Sequence, residues 1–289
     1  MERPAADVAT PPPHPMAGMD AFAPGEIAGL VATRGVAKAK AGALATVTLG
    51  VVAGAYIALG AVFSTTVATG SELGYGPTRL LAGVAFSLGL ILVVVAGAEL
   101  FTGNTLIVLA VASRRVTLTE LARNWTLVFL GNLVGAISVA VLVTAAGWWE
   151  GGDEAVGATA VAIAADKASL PLGTVFFRGI LANALVCLAV WLATGGRSVV
   201  DKVVAIVPAI AAFVAASFEH SIANMYFIGA GLLLEGRVEG TTDTPGLDPA
   251  GFVGNITAST LGNIVGGGLL VGLVYWFVYL RPTTGARGG

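Results

Sequence analysis

The sequence has few charged residues and a single cysteine. Charged side chains make up 11% of its 289 residues and hydrophobic ones 56%, whereas a typical soluble domain is about 25% charged. This composition excludes an ordinary soluble domain and indicates a polytopic membrane protein. Because Cys187 is the one cysteine, an intrachain disulfide is excluded as well.

Patterns typical of enzymes and metal sites are also missing. Of the two histidines, His14 and His220, only His220 falls in an apolar segment, and no HExxH motif or second ligand at metal spacing accompanies it. We therefore expect no enzyme activity, no metal and no cofactor. Residues 1–24 have no apolar core of a signal peptide and are rich in proline, which predicts a disordered tail.

Six apolar runs are long enough to cross a bilayer, so the prediction is an all-α protein with six transmembrane helices. The runs cover residues 42–69, 80–112, 124–147, 172–195, 203–234 and 252–280. Around them we predict an interfacial amphipathic helix at 25–40, a six-helix domain at 41–282 and a C-terminal tail at 283–289.

Basic residues occupy alternate connections between these runs. Arg34 and Lys38 precede the first run and Arg114 follows the second, whereas Glu150 and Asp153 lie in the connection after the third. By the positive-inside rule, both termini are predicted to be cytoplasmic.

The second and fifth runs are too long for simple spanning helices. Each would extend about 50 Å, against a hydrocarbon core of about 30 Å. The polar stretches "GAELFTGNT" and "FEHSIANM" lie inside them, so we predict a helix break at each. Four polar residues are expected to cap the half-helix ends there: Glu99, Asn104, Glu219 and Asn224.

The two breaks belong to an internal repeat. Both contain the spacing E-x4-N, and "NWTLVFLGNLVG" and "NITASTLGNIVG" share N-x5-L-G-N-x-V-G in the third and sixth runs. The repeats cover about 41–148 and 166–282. Because each contains an odd number of spans, they are predicted to be inverted, with a transport site near the membrane midplane.

His220 has no equivalent in the first repeat, where Leu100 takes its place, so the break alone does not require it. An ionisable side chain inside a bilayer is by default a functional residue. A neutral-solute pore of the aquaporin type would carry paired Asn-Pro-Ala boxes, but the breaks read Thr-Gly-Asn and Ile-Ala-Asn. A purely structural assembly would leave His220 unexplained.

Over roughly residues 20–281, the sequence resembles the formate/nitrite transporter family of pentameric anion channels. The motifs that carry the resemblance are "GAELFTGN", "NWTLVFLGNLVGA", "RGILANALVCLAVW", "GRSVVDK", "FEHSIANM" and "LGNIVGGGLLVGLVYWFVYLR". It implies an aquaporin-like fold, a homopentamer in a bacterial cytoplasmic (inner) membrane, and small anions as partners, with no nucleic acid.

The resemblance also implies roles for individual residues. His220 matches the central pore histidine, Thr102 the threonine that faces it, Lys167 a basic residue of the periplasmic vestibule and Asn263 an asparagine near the pore. The implied apolar constrictions are Phe86, Leu90, Leu100, Phe101 and Phe213.

Together these features predict a channel or proton-coupled transporter for the monovalent anions of weak acids. Apolar constrictions exclude hydrated ions, and a central histidine can supply or hold a proton. Formate or nitrite is the expected substrate. The alternatives are hydrosulfide, acetate or lactate in the same family, or a neutral solute in an aquaporin-like pore.

Overall fold

The computed structural model describes residues 20–281, and this part of the chain is helical. The predicted tail at 283–289 and most of the one at 1–24 lie outside it. We number the helices α1 Pro24–Lys40, α2 Ala43–Ala68, α3 Tyr75–Gly97, α4 Phe101–Ala112, α5 Leu118–Ala145, α6 Ala155–Ala168, α7 Leu172–Gly195, α8 Val199–Ala215, α9 Ser221–Leu234 and α10 Pro249–Tyr279.

Five of these helices, α2, α3, α5, α7 and α10, are long and apolar enough to cross a membrane. Two shorter apolar helices, α4 and α9, follow the chain breaks. The predicted fifth run, 203–234, corresponds to α8 and α9, and each of these is shorter than a full span. The count of six spans therefore stays a prediction.

Both predicted helix breaks are present. The last turns of α3, Leu92–Gly97, widen into a π-helix, and the chain is extended at Ala98 before α4 begins at Phe101. The turn uses Gly97 at φ +87°, a left-handed conformation that glycine adopts without a steric penalty. In the second break Ser217 has φ +56°, and α9 begins four residues later.

Helix α1 packs on the helical body. Its buried side chains Ile27 and Val31 join a cluster with Leu106, Leu109 and Trp191. The helix covers Pro24–Lys40, and the interfacial amphipathic segment at 25–40 stays a prediction.

Glycines bring two pairs of helices, α2 with α5 and α7 with α10, close together. A Cβ atom at Gly54 of α2 would overlap the backbone of Asn132 in α5. In the same way, a Cβ at Gly262 of α10 would overlap the carbonyl of Phe176 in α7. These contacts hold the asparagines of α5 and α10 against the helix breaks.

Candidate functional site

Thr102 and His220 meet at the centre of the described helices. Thr102 lies in the first turn of α4, His220 immediately precedes α9, and the Thr102 Oγ1 to His220 Nε2 distance is 2.9 Å. Both side chains are buried. The two breaks thus bring together two residues that the sequence singled out separately.

The hydrogen bonds of the His220 ring assign its tautomer. The backbone N–H of Ala223 donates to Nδ1 at 3.1 Å, so this nitrogen carries no proton. In the neutral ring the proton is therefore on Nε2, which donates to Thr102 Oγ1. His220 consequently serves α9 as an N-cap while presenting one N–H to the centre of the molecule.

The Thr102 peptide is fixed by a residue whose role the sequence analysis missed. Asn183 of α7 is fully buried, and its Nδ2 donates to the carbonyls of Thr102, at 3.2 Å, and Asn263, at 2.7 Å. Cys187 Sγ lies 3.4 Å from the Thr102 carbonyl. An amide within an otherwise apolar span was the signal that could have identified Asn183.

Two equivalent asparagines cap the short helices. Asn132 Oδ1 accepts the Phe101 N–H at 2.9 Å, and its Nδ2 donates to the Glu99 and Gly50 carbonyls. Asn263 Oδ1 accepts the Ser221 N–H at 2.9 Å. Its Nδ2 donates to the carbonyls of Glu219 and Gly179.

This corrects the predicted capping residues. Among the described residues, Glu99, Asn104, Glu219 and Asn224 accept no backbone N–H of the short helices, because their side chains bond to one another and to lysines. The caps are Asn132, Asn263 and His220. The side chain of Asn263, which was expected beside the pore, holds the second break.

Each break has a carboxylate cluster, and the carboxylate of the second, Glu219, is buried. Glu219 Oε1 pairs with Lys167 Nζ at 3.0 Å, and its Oε2 accepts from Asn224 at 2.6 Å. Asn255 donates to the Lys167 carbonyl at 2.8 Å. Lys167 is therefore not a freely solvated loop charge but half of an ion pair.

The first break has the same cluster with Lys38 in place of Lys167. Glu99 Oε1 pairs with Lys38 Nζ at 2.9 Å, Asn104 donates to Glu99 Oε2 at 2.6 Å, and Asn124 donates to the Lys38 carbonyl at 3.0 Å. Lys38 was expected only among the basic residues that set the orientation in the membrane. Its spacing to Gly50 equals that of Lys167 to Gly179, and this was the signal for its role.

Two cavities lie on either side of the Thr102–His220 contact. The Lys167 cavity, about 50 Å³, is lined by Lys167, His220, Phe86 and Phe213 among others. The Lys38 cavity, about 430 Å³, is lined by residues that include Lys38, Glu99, Leu90 and Leu100.

The predicted constriction residues divide between these cavities, with one exception. The rings of Phe86 and Phe213 meet edge to face at 5.6 Å, and Phe213 lies 6.0 Å from the His220 ring. Phe101 lines neither cavity, since its ring packs edge-on against Trp125 and Phe129. Within residues 20–281 no group of His, Cys, Asp and Glu is placed to hold a metal ion.

Comparison with known proteins gives the family. A model described as "Formate/nitrite transporter" matches residues 25–277. The chain belongs to the formate/nitrite transporter family. Within it, the "Formate channel FocA" of Escherichia coli (strain K12) is 41% identical over 273 residues, which cover 91% of this chain and 96% of the relative.

Solved structures of formate/nitrite transporters share this fold. One described as "Pentameric formate channel with formate bound" has a TM-score of 0.77 and 40% identity, covering 83% of this chain and 98% of that one. An "FNT family ion channel" has a TM-score of 0.78 and 30% identity, covering 89% and 99%. With its apolar helices and this family, the chain is a multi-pass membrane protein of a family of channels and transporters.

Proposed function

We propose that this protein is a membrane channel or transporter for small monovalent anions of weak acids, with formate or nitrite as substrate. The observation that carries the proposal is the buried Thr102–His220 pair at 2.9 Å, between one cavity lined by Lys167 and another lined by Lys38. The names of the relatives, a formate channel and a channel with formate bound, support formate as the first substrate to test.

The finer architecture that we propose is six transmembrane helices in two inverted three-helix repeats, about 41–148 and 166–282. In this arrangement α3 with α4 and α8 with α9 are the broken second and fifth helices. The matched hydrogen bonds of Asn132 and Asn263 support it, as do the two Lys–Glu clusters.

The membrane arrangement also belongs to this proposal. It has residues 25–40 at the interface, both termini in the cytoplasm of a bacterium, and five protomers in the inner membrane. A relative described as a pentameric channel supports the last point.

In the proposed mechanism the apolar residues select against charge. Phe86, Phe213, Leu90 and Leu100 line the approaches to His220 and offer a bare anion no hydrogen bonds. Taking an ion out of water without a partner is costly, whereas a weak acid in its neutral form avoids this cost. The substrate therefore crosses this region with its charge neutralised or paired.

The His220 ring supplies the central interaction. The Nε2–H of His220 donates to Thr102 and can donate instead to an anion in the passage. Nδ1 can meanwhile keep accepting the Ala223 N–H, so the cap of α9 is not disturbed. A second proton on Nδ1 requires the ring to release the Ala223 N–H. Proton transfer by His220 is thus linked to movement at the start of α9, and a proton from bulk water is the alternative.

Lys167 and Lys38 act in the two cavities of the proposed passage. Each is held beside a carboxylate, so it offers hydrogen bonds to an arriving anion while remaining in place. Hydrosulfide, acetate and lactate remain alternative substrates because the same interactions serve any small monovalent anion. A neutral-solute pore is the other alternative.

Flux into proteoliposomes tests the proposal. Purified protein should carry radiolabelled formate or nitrite into vesicles well above protein-free vesicles, and glycerol should not follow. His220→Asn keeps a hydrogen-bonding side chain without a titrating proton, and we expect it to change selectivity among the anions. Glycerol flux equal to formate flux would instead favour the neutral-solute pore.

A further inference from the structure

The two lysines add little net charge to their cavities. Lys167 pairs with Glu219 at 3.0 Å and Lys38 pairs with Glu99 at 2.9 Å, so each cluster is neutral as a whole. If the cavities attract anions from solution, as the proposed function requires, other cations must supply the positive potential.

Arg79 supplies such a charge in the Lys167 cavity. It lines this cavity together with Lys167 and His220. Within residues 20–281 no carboxylate forms an ion pair with it. A guanidinium remains charged at any physiological pH, so the positive charge of Arg79 is uncompensated.

The hydrogen bonds of Arg79 are incomplete. Its Nη2 donates to the carbonyl of Val214 and to Ser217 Oγ, the latter at 3.0 Å. Its Nε is buried and has no hydrogen-bond partner among the described residues. A buried N–H without a partner is unfavourable, and an anion in the cavity is the kind of group that would satisfy it.

Lys202 is one of the cations at the other end. It lines the Lys38 cavity and, among the described residues, forms no ion pair. Arg79 lies in the first turns of α3 and Lys202 in the first turn of α8. The bond from Arg79 to the Val214 carbonyl shows that the start of α3 lies beside the end of α8, so the two cations lie at opposite ends of this helix pair.

From these observations we infer that Arg79 and Lys202 are the anion-recruiting residues, one at each mouth of the passage, and that Arg79 binds the small carboxylate or nitrite in the Lys167 cavity. This rests on the proposed function and adds to it the residues that set the anion concentration. Lys167 and Lys38 then act further inside, each beside its carboxylate.

Ser217 offers a direct test because it touches Arg79 and already has φ +56°, which Asp and Asn tolerate well. Ser217→Asp supplies the missing carboxylate, and Ser217→Asn is the matched neutral control. Initial uptake of formate is measured from each side of oriented proteoliposomes, at ionic strengths of about 0.01 M and about 0.15 M.

At about 0.01 M, Ser217→Asp and Arg79→Gln should each raise the KM about tenfold for formate added on the Arg79 side, with kcat little changed. The effect should shrink at about 0.15 M, where charges are screened within about 8 Å. Ser217→Asn should behave like the unchanged protein. Lys202→Gln should raise the KM only from the opposite side.

The inference is overturned if Ser217→Asp behaves like Ser217→Asn, or if the losses are the same at both ionic strengths. The second outcome would make Arg79 a structural clamp on the end of α8. If the unchanged protein carries no small anion, the proposed function itself fails. This failure can be told apart from failure of the inference about Arg79, because it is seen without any variant.

Discussion

The side chains of Thr102 and His220 form a 2.9 Å hydrogen bond across 118 residues of sequence. Each residue is held in place by a further hydrogen bond. The Thr102 carbonyl accepts from Asn183, and His220 Nδ1 accepts from the Ala223 N–H. A change at either residue should therefore alter the ring's hydrogen bond without unfolding the helices around it.

The pH dependence of transport tests the role of the ring. We expect His220→Asn to abolish pH-dependent switching between neutral-acid and anion transport, because it removes the titrating group. Thr102→Val should give a milder change, since it removes the acceptor of Nε2–H and leaves the proton. Solid-supported membrane currents between pH 4 and 8, a range around the usual histidine pKa of about 6.5, make the comparison.

Assembly of both variants should be checked in the same preparations. If His220→Asn assembles normally and keeps the pH dependence of the unchanged protein, His220 is a helix cap only, and the proton comes from bulk water.

The effects of substituting Lys167 and Glu219 on the free energy of unfolding should be strongly coupled. Lys167→Ala leaves the buried Glu219 carboxylate without its cation, and we expect a loss of about 3–5 kcal/mol in the free energy of unfolding. The double variant Lys167→Ala with Glu219→Gln should recover most of the lost free energy of unfolding, because no unpaired carboxylate remains buried. Thermal unfolding in detergent gives the comparison.

The more exposed Lys38–Glu99 pair is the matched control, and Lys38→Ala should cost less. Equal losses for the single and double variants at Lys167 would mean that the ion pair contributes nothing beyond side-chain packing.

Asn183 should be required for a stable Thr102 peptide. Asn183→Ala removes donors to the Thr102 and Asn263 carbonyls, and we expect a loss of about 1–3 kcal/mol in the free energy of unfolding together with slower formate uptake. Cys187→Ala is the control, because the thiol is a weak donor to the same carbonyl. A Cys187 variant as damaged as the Asn183 variant would point to packing in α7.

Protein purified in detergent should run as a pentamer by native mass spectrometry. The glycines of α10, among them Gly266 and Gly272, contact α7 and α4 within one chain, so they do not by themselves supply the contact between protomers. A stable monomer or dimer would contradict the pentamer.

Local features of the sequence were enough to predict most spanning helices, the two helix breaks and the family. The apolar runs predict most spanning helices within a few residues, and two runs too long for a membrane, each with an internal polar cluster, predict where α3 and α8 end. These properties depend on neighbouring residues alone, so periodicity and length suffice. The family followed from contiguous motifs for the same reason.

Only the tertiary structure decided how the polar side chains pair. Glu99, Asn104, Glu219 and Asn224 were expected to cap helices, but the caps come from Asn132, Asn263 and His220, two of which lie in other helices. The pairing of Lys38 with Glu99 and the contact of Arg79 with Ser217 also join distant segments. A buried polar group bonds to whichever partner packing brings within about 3 Å, and that distance is a property of the folded chain rather than of residue spacing.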